Sequence, residues 1–251
     1  MNAPRAIALC QCFNGALEFQ AGHWKEAIRS LNDSIEIYQY LGAASGEALA
    51  WQRLGVVQTA QGQLNTAMSS FEEGIAAAER ATMRAHCLTR LHASMTRNRL
   101  IANDIGRADQ FLEQGLAMGQ QHGSCSTCDA LLLPVAVSLR VTQGDFGAAE
   151  EFCHKLDRAA NSYGSRTWVA MARQARGELA AALGDLEDAI INYEEAHNGF
   201  EIAGYDYEAA RCLEALAKVR NGRDQAGDVK MAQQAQREAN LIFNRLARSS
   251  G

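Results

Sequence analysis

The sequence predicts an all-α fold, a right-handed superhelical solenoid of about six helical hairpins. Proline occurs only twice in 251 residues, which is typical of a mostly helical chain because proline breaks helix interiors. An alanine recurs at intervals of 40, 41, 41 and 40 residues, at Ala27, Ala67, Ala108, Ala149 and Ala189. A residue suited to a turn stands five positions before each alanine, at Gly22, Gly62, Asn103, Gly144 and Gly184. A fixed period of this length indicates repeated helix pairs.

Each period contains two helices and two turns. A second set of turn positions lies half a period away, at Gly42, Thr82, Gly123, Gly164 and Gly204. Between turns, apolar residues stand three or four apart, as in Trp51, Leu54 and Val57, and so form one face of a helix. Asp145 and Asp185 follow turn glycines and are predicted to cap the next helix. The recurring alanines are small enough for the two helices of a hairpin to cross closely.

Such hairpins cannot bury both faces alone and must stack on their neighbours. We therefore expect one repeat domain over residues 1–251, with the first helix of each hairpin lining a concave inner face. The approximate units are 8–47, 48–88, 89–129, 130–169, 170–204 and the capping unit 205–251. In the capping unit, helices are predicted over 205–220 and 228–248, joined by a polar turn at 221–227.

Several stretches carry a motif that resembles the tetratricopeptide repeat (TPR) signature. They are Trp51-x-x-Leu54-Gly55 with Gly62-x-Leu64-x-x-Ala67-x-x-x-Phe71, Gly177 with Gly184-Asp185-Leu186, Ala189 and Tyr193, and Gly15 with Gly22, Trp24 and Ala27. The period exceeds the roughly 34 residues usual in that family. The stretch from Ala175 to Asp185, with Tyr207 to Arg211, also resembles the C-terminal helical-repeat region of LuxR-type ATP-binding bacterial transcriptional regulators. The resemblance implies the sensor or interaction part of such a regulator.

Composition and motifs exclude several classes of function. The formal net charge of −5 disfavours a chain that wraps nucleic acid. No Gly-x-Ser-x-Gly, His-Glu-x-x-His or Gly-x-Gly-x-x-Gly motif is present, so we expect neither an enzyme nor a cofactor. The longest uncharged apolar run, 130–137, is too short to span a bilayer, and the N-terminal residues do not form a secretory signal. Seven cysteines without an export signal favour a reducing, cytoplasmic location.

The repeat register predicts which side chains line the inner face as a ligand or peptide groove. These are Gln52, Val56, Thr59, Arg90, Arg97, Ser138, Gln174 and Glu178. This mixture of groups suits a protein or peptide with acidic character, or a small polar effector. Arg90 and Arg97 stand two turns apart on one helix face, where a carboxylate can bridge them. Two solvated surface arginines are the alternative interpretation.

A Cys-x-x-Cys motif precedes the seventh predicted helix. Cys125 and Cys128 suit a redox pair, or two ligands of zinc or a softer metal with His122 as the third. No second pair of ligands stands at a matching spacing, and Cys153 of the facing hairpin occupies a repeated core position. The alternative interpretation is two inert small residues at a turn.

The sequence therefore predicts a non-catalytic module that binds a protein, a peptide or a small effector. Direct contact with nucleic acid or membrane is not expected, whereas self-association through the ends of the stack stays open. The alternative function is a thiol-based redox or metal sensor that uses Cys125 and Cys128.

Overall fold

The computed structural model describes residues 3–123 and 125–248. This part of the chain contains twelve α-helices and no strand. They are α1 (Pro4–Gln20), α2 (Trp24–Tyr40), α3 (Ala44–Ala60), α4 (Leu64–Glu79), α5 (Arg84–Ile101), α6 (Ile105–His122), α7 (Ser126–Gln143), α8 (Phe146–Tyr163), α9 (Arg166–Leu183), α10 (Leu186–Ile202), α11 (Asp206–Arg223) and α12 (Asp228–Arg248). The predicted all-α repeat fold is confirmed. None of the helices described is long and apolar enough to cross a bilayer.

The helices fall into two compact units. The first unit, up to Leu132, holds α1 to α6 and the beginning of α7; the second, Leu133–Arg248, holds the remainder of α7 and α8 to α12. Within the first unit α1 packs on α2, α3 on α4 and α5 on α6, and the first helices of successive hairpins also touch. Within the second unit α9 packs on α10 and α11 on α12. Each unit is therefore built from stacked hairpins.

The residues predicted at the turns adopt the backbone conformation or make the capping hydrogen bond expected at helix ends. Gly62 and Gly184 have φ angles of 76° and 84°, and Asn103 takes the same left-handed conformation with φ of 57°. This region is open to glycine and, less readily, to asparagine. Asp145 and Asp185 each accept a hydrogen bond of 3.1 Å from the backbone amide three residues on, so both predicted helix caps are confirmed.

A glycine allows the two helices of a hairpin to approach closely. A Cβ atom added at Gly15 of α1 would lie 2.6 Å from Cγ of Leu31 in α2. Gly55 of α3 holds the equivalent position against the ring of Phe71 in α4. Each glycine precedes its large partner by sixteen residues, so the same contact recurs one repeat later. The hairpin interface is thus set by small residues opposite large ones.

Polar side chains join the first helices of neighbouring hairpins. These hydrogen bonds link residues 39 to 42 positions apart, close to one repeat period. We call this set the period ladder. Its bonds are Gln52 Nε2 to Ser94 Oγ (2.7 Å), Asn98 Nδ2 to Thr59 Oγ1 (3.0 Å) and Ser138 Oγ to Glu178 Oε2 (2.6 Å). The ladder arises because stacking places equivalent positions of successive repeats side by side.

The turn between α11 and α12 is shorter than predicted. Helix α11 continues to Arg223, so the predicted loop 221–227 is reduced to 224–227. Asp228 begins α12, is almost fully buried, and accepts two hydrogen bonds from Arg223 at 2.7 and 2.9 Å and a third from the backbone amide of Gln225 at 3.0 Å. The Arg223 guanidinium holds the Asp228 carboxylate in place and lowers its pKa from 3.8 to about 2.

Replacing Asp228 with asparagine should destabilise the protein at neutral pH. The folded carboxyl group has a lower pKa than the unfolded one, so its contribution is present above about pH 4 and is lost as pH falls towards 2. Urea denaturation of the native protein and of Asp228→Asn at several pH values should show a difference at pH 7 that narrows across this window. Asp224→Asn, at an exposed position of the same turn, is the matched control. A pH-independent difference would contradict this account.

Candidate functional site

Two of the predicted groove residues, Gln52 and Thr59 of α3, are buried instead of lining an open surface. They are 3% and 7% exposed. Thr59 Oγ1 donates to the carbonyl oxygen of Gly55 at 2.8 Å and accepts from Asn98, so its hydroxyl is used within the fold. Gln52 donates along the period ladder, but its Oε1 is buried and has no hydrogen-bond partner within residues 3–123 and 125–248. Val56 is half-buried beside the first unit's core. Gln52 therefore retains one unused acceptor.

Arg90 of α5 is a half-buried cation. Its Nε atom is buried and has no hydrogen-bond partner among the described residues. Burial, together with the positive charge of Arg53 in α3, lowers the pKa of Arg90. Arg53 donates to the carbonyl oxygen of Cys12 at 2.9 Å, and its guanidinium lies 4.6 Å from the centre of the Phe13 ring. We call Arg53 and Arg90 the positive centre of the first unit.

The second predicted arginine, Arg97, is half-buried two turns further along α5. The positive charge of Arg53, on the preceding first helix, α3, also acts on Arg90. A carboxylate that bridges Arg90 and Arg97 stays a prediction.

The second unit carries the other predicted groove residues. Ser138, Gln174 and Glu178 are half-buried, and Ser138 donates to Glu178 at 2.6 Å. Arg211, on the next first helix, forms an ion pair with Glu208 at 3.0 Å. Burial acts to lower the pKa of Arg211, but the nearby carboxylates of Glu208 and Glu178 outweigh it and raise that pKa. This arginine, unlike Arg90, already lies among carboxylates.

Both cysteines of the Cys-x-x-Cys motif meet a histidine from a neighbouring helix. Nδ1 of His86, in α5, lies 3.4 Å from Sγ of Cys125 and 3.2 Å from Sγ of Cys128. The three atoms all lie within 4.8 Å of one another. His122, the predicted third ligand, is exposed at the end of α6, and His86 takes the place expected for it. We call His86, Cys125 and Cys128 the thiol–imidazole cluster.

The two thiols of the cluster are not equivalent. Burial opposes ionisation of Cys125, but hydrogen bonds from Cys128 and Thr127 lower its pKa. Burial and the same bond to Cys125 raise the pKa of Cys128. Burial, helped by the charge of Arg90, lowers the pKa of His86, which keeps its imidazole neutral at pH 7. A neutral imidazole and two adjacent thiols can ligate a metal ion, and the thiols can alternatively form a disulfide.

The cysteines predicted to be core residues differ from this pair. Cys153 of α8 is buried, as its repeated core position predicted, and burial raises its pKa to about 12. Cys87 of α5 is also buried, with its pKa raised to about 11. Such thiols are protonated and inert at neutral pH.

His86 was missed because it lies far from the cysteines in sequence. A signal for it was nevertheless present, since His86 stands 41 residues before Thr127, in the centre of the motif. Residues one period apart lie side by side on neighbouring first helices, as in the period ladder. A search for ligands one period away from the motif would have found this histidine.

Comparison with known proteins supports the repeat architecture. A family model described as the MalT-like TPR region matches residues 5–250. A Rap protein, solved in complex with Competence and Sporulation Factor, has a TM-score of 0.75 at 13% identity; the match covers 99% of this chain and 67% of that one. BtubC from P. vanneervenii has a TM-score of 0.51 at 17% identity over 97% of this chain and 92% of that one. No curated protein sequence matches the chain.

Proposed function

Because the chain belongs to the family of MalT-like TPR regions, we propose that it is a non-catalytic module that binds an acidic protein or peptide segment. We further propose that it serves as the sensor or interaction part of a bacterial transcriptional or signalling regulator in the cytoplasm. The proposed binding surface is the positive centre of the first unit, Arg53 and Arg90.

The unpartnered Nε of Arg90 is the observation that carries this proposal. This buried atom has no hydrogen-bond partner in the part of the chain that the structure describes, and the neighbouring charge of Arg53 is of the same sign. Holding a partly desolvated cation beside another cation is unfavourable unless an anion arrives. A carboxylate of a bound segment would accept from Arg90 and offset the repulsion between the two arginines.

The similar fold of known binding proteins supports this kind of role. The Rap protein with the comparable fold was solved with a bound factor. Stacked helical hairpins present extended surfaces of the kind used for protein and peptide recognition. Non-catalytic binding is consistent with the lack of enzyme motifs in the sequence.

Peptide binding is tested with three pools of labelled peptides of equal length. The pools differ only in their variable positions, which carry Asp and Glu in the acidic pool, Asn and Gln in the neutral pool, and Lys and Arg in the basic pool. Fluorescence polarisation should show the tightest binding for the acidic pool, weakened by added salt. A hydrogen bond to a charged group contributes about 1.5–3 kcal/mol, so Arg90→Gln should weaken that binding about ten- to a hundredfold.

Arg84→Gln is the matched control for Arg90→Gln. Arg84 lies on the same helix but is exposed and paired with Glu79 at 2.5 Å, so its loss should leave peptide binding unchanged. Tighter binding of the basic pool, or equal loss in the two variants, would overturn the proposed site. Failure of all three pools to bind would overturn the proposed peptide-binding function.

A further inference from the structure

We propose that the thiol–imidazole cluster binds one zinc-class metal ion, with His86, Cys125 and Cys128 as its protein ligands and the fourth position open. This proposal is independent of the proposed peptide-binding function. It rests on the convergence of three metal-binding side chains of the first unit, one from α5 and two from the start of α7 and the residue before it.

The distances in the cluster fit a tetrahedral site. With Zn–N of about 2.0 Å and Zn–S of about 2.3 Å, tetrahedral angles require N···S distances of about 3.5 Å. The observed separations of His86 Nδ1 from the two sulfur atoms are 3.4 and 3.2 Å. An ion therefore needs only a small outward movement of the sulfur atoms to enter between the three ligands.

The backbone holds the two thiols on the same side. The carbonyl oxygen of Cys125 accepts from the amide of Cys128 at 2.8 Å and from that of Asp129 at 2.9 Å, which forms the first turn leading into α7. This turn places both sulfur atoms towards His86 on α5. Because His86 lies within a regular helix, the third ligand is also positioned before metal binding.

The donor set selects the class of metal. Two thiols and an imidazole suit zinc or another soft or borderline ion, whereas calcium and magnesium require oxygen ligands. Arg90 acts on both thiols and favours their ionised forms, which are the forms that bind metal. Two thiolates would neutralise a divalent ion, and Arg90 would leave the site with a net positive charge.

An open fourth position follows from the ligand count. Within the described residues, the group that can hold an ion contains three His, Cys, Asp or Glu side chains. His86 and Cys125 are each only partly buried, so solvent can reach the site. Water or an external anion would complete the four-coordinate shell of the ion. Metal sites of this kind keep one exchangeable ligand, whereas closed structural sites have four protein ligands.

Metal binding is tested with the fully reduced, chelator-treated chain. Isothermal titration with zinc should give one equivalent bound per chain, with proton release because the thiols must ionise. Cobalt substitution should give the sulfur-to-metal charge-transfer absorption and the intense visible bands of a tetrahedral thiolate site. Cys125→Ser and Cys128→Ser should abolish this absorption, and His86→Ala should weaken zinc binding at least tenfold. Circular dichroism checks that each variant remains helical.

His122→Ala and Cys10→Ser serve as controls, because both residues are exposed and outside the cluster. Neither change should alter the zinc affinity or the cobalt spectrum. The proposal would be overturned if the reduced native chain bound no zinc, or if His86→Ala bound it as tightly as the native chain. It would also fail if His122→Ala abolished binding. Isolation of the chain with a Cys125–Cys128 disulfide and no zinc affinity after reduction would point to a redox pair instead.

Discussion

Replacing Phe71 with alanine should lower the free energy of unfolding by about 3–5 kcal/mol. Phe71 lies in α4, is 0% exposed, and belongs to the core cluster that includes Leu88 and Leu91 of α5. Its ring also fills the space left by Gly55 on α3. Truncation would open a cavity where three helices meet, and a glycine has no side chain that could move in to fill it. Urea denaturation followed by circular dichroism measures the loss.

Tyr40→Ala is the control for this change, since Tyr40 is an aromatic residue of the same unit but is 88% exposed. Its replacement should alter the free energy of unfolding by no more than about 0.5 kcal/mol. A loss below about 1 kcal/mol for Phe71→Ala would show that α3 and α4 do not pack through this ring.

Adding a single methyl group at Gly55 should also destabilise the first unit. A Cβ atom there would overlap the Phe71 ring, which is itself fully buried and has little room to move. Overpacking of this kind lowers the free energy of unfolding by about 1–3 kcal/mol. The higher helix preference of alanine offsets at most about 1 kcal/mol of that loss. With the full helix-preference gain, we therefore expect a net loss of up to about 2 kcal/mol for Gly55→Ala.

Two further variants separate overlap from helix preference. Gly119 of α6 has nothing within 4 Å of its would-be Cβ, so Gly119→Ala should be neutral or stabilising. In a Phe71→Leu background, where the obstructing ring is gone, Gly55→Ala should lose most of its cost. Equal costs of Gly55→Ala in both backgrounds would rule out the ring as the cause.

The repeat fold was predictable because its contacts recur at a fixed period. The recurring alanines and turn residues were sufficient to predict which helices pair. The sequence also indicates the relative sizes of the residues that face each other within a hairpin. Glycine stands sixteen positions before the large Phe71 and Tyr193, whereas the bulkier Val137 stands sixteen before the smaller Cys153. The end of α11 was less predictable, because the residues after Arg220 are compatible with both helix and loop.

The candidate sites were only partly predictable from the sequence. The register identified the helices that carry Gln52, Thr59 and Arg90, but it did not show that Gln52 and Thr59 are buried against the following first helix. The register also did not identify Arg53 of the neighbouring repeat, whose charge acts on Arg90. In both cases the missing information was the lateral offset between stacked helices, which hydrophobic periodicity along one helix does not contain.

The period ladder has a consequence for how the hairpins find their correct order. Because the hairpins have similar backbones, a helix can pack on the wrong neighbour and still bury its apolar side chains. In such a stack the buried Gln52 and Asn98 would face side chains that do not complement them. Each buried polar group left without a partner costs about 1–3 kcal/mol. The hydrogen-bonded pairs of the period ladder therefore favour docking of each hairpin on its native neighbour over docking on another hairpin of similar structure.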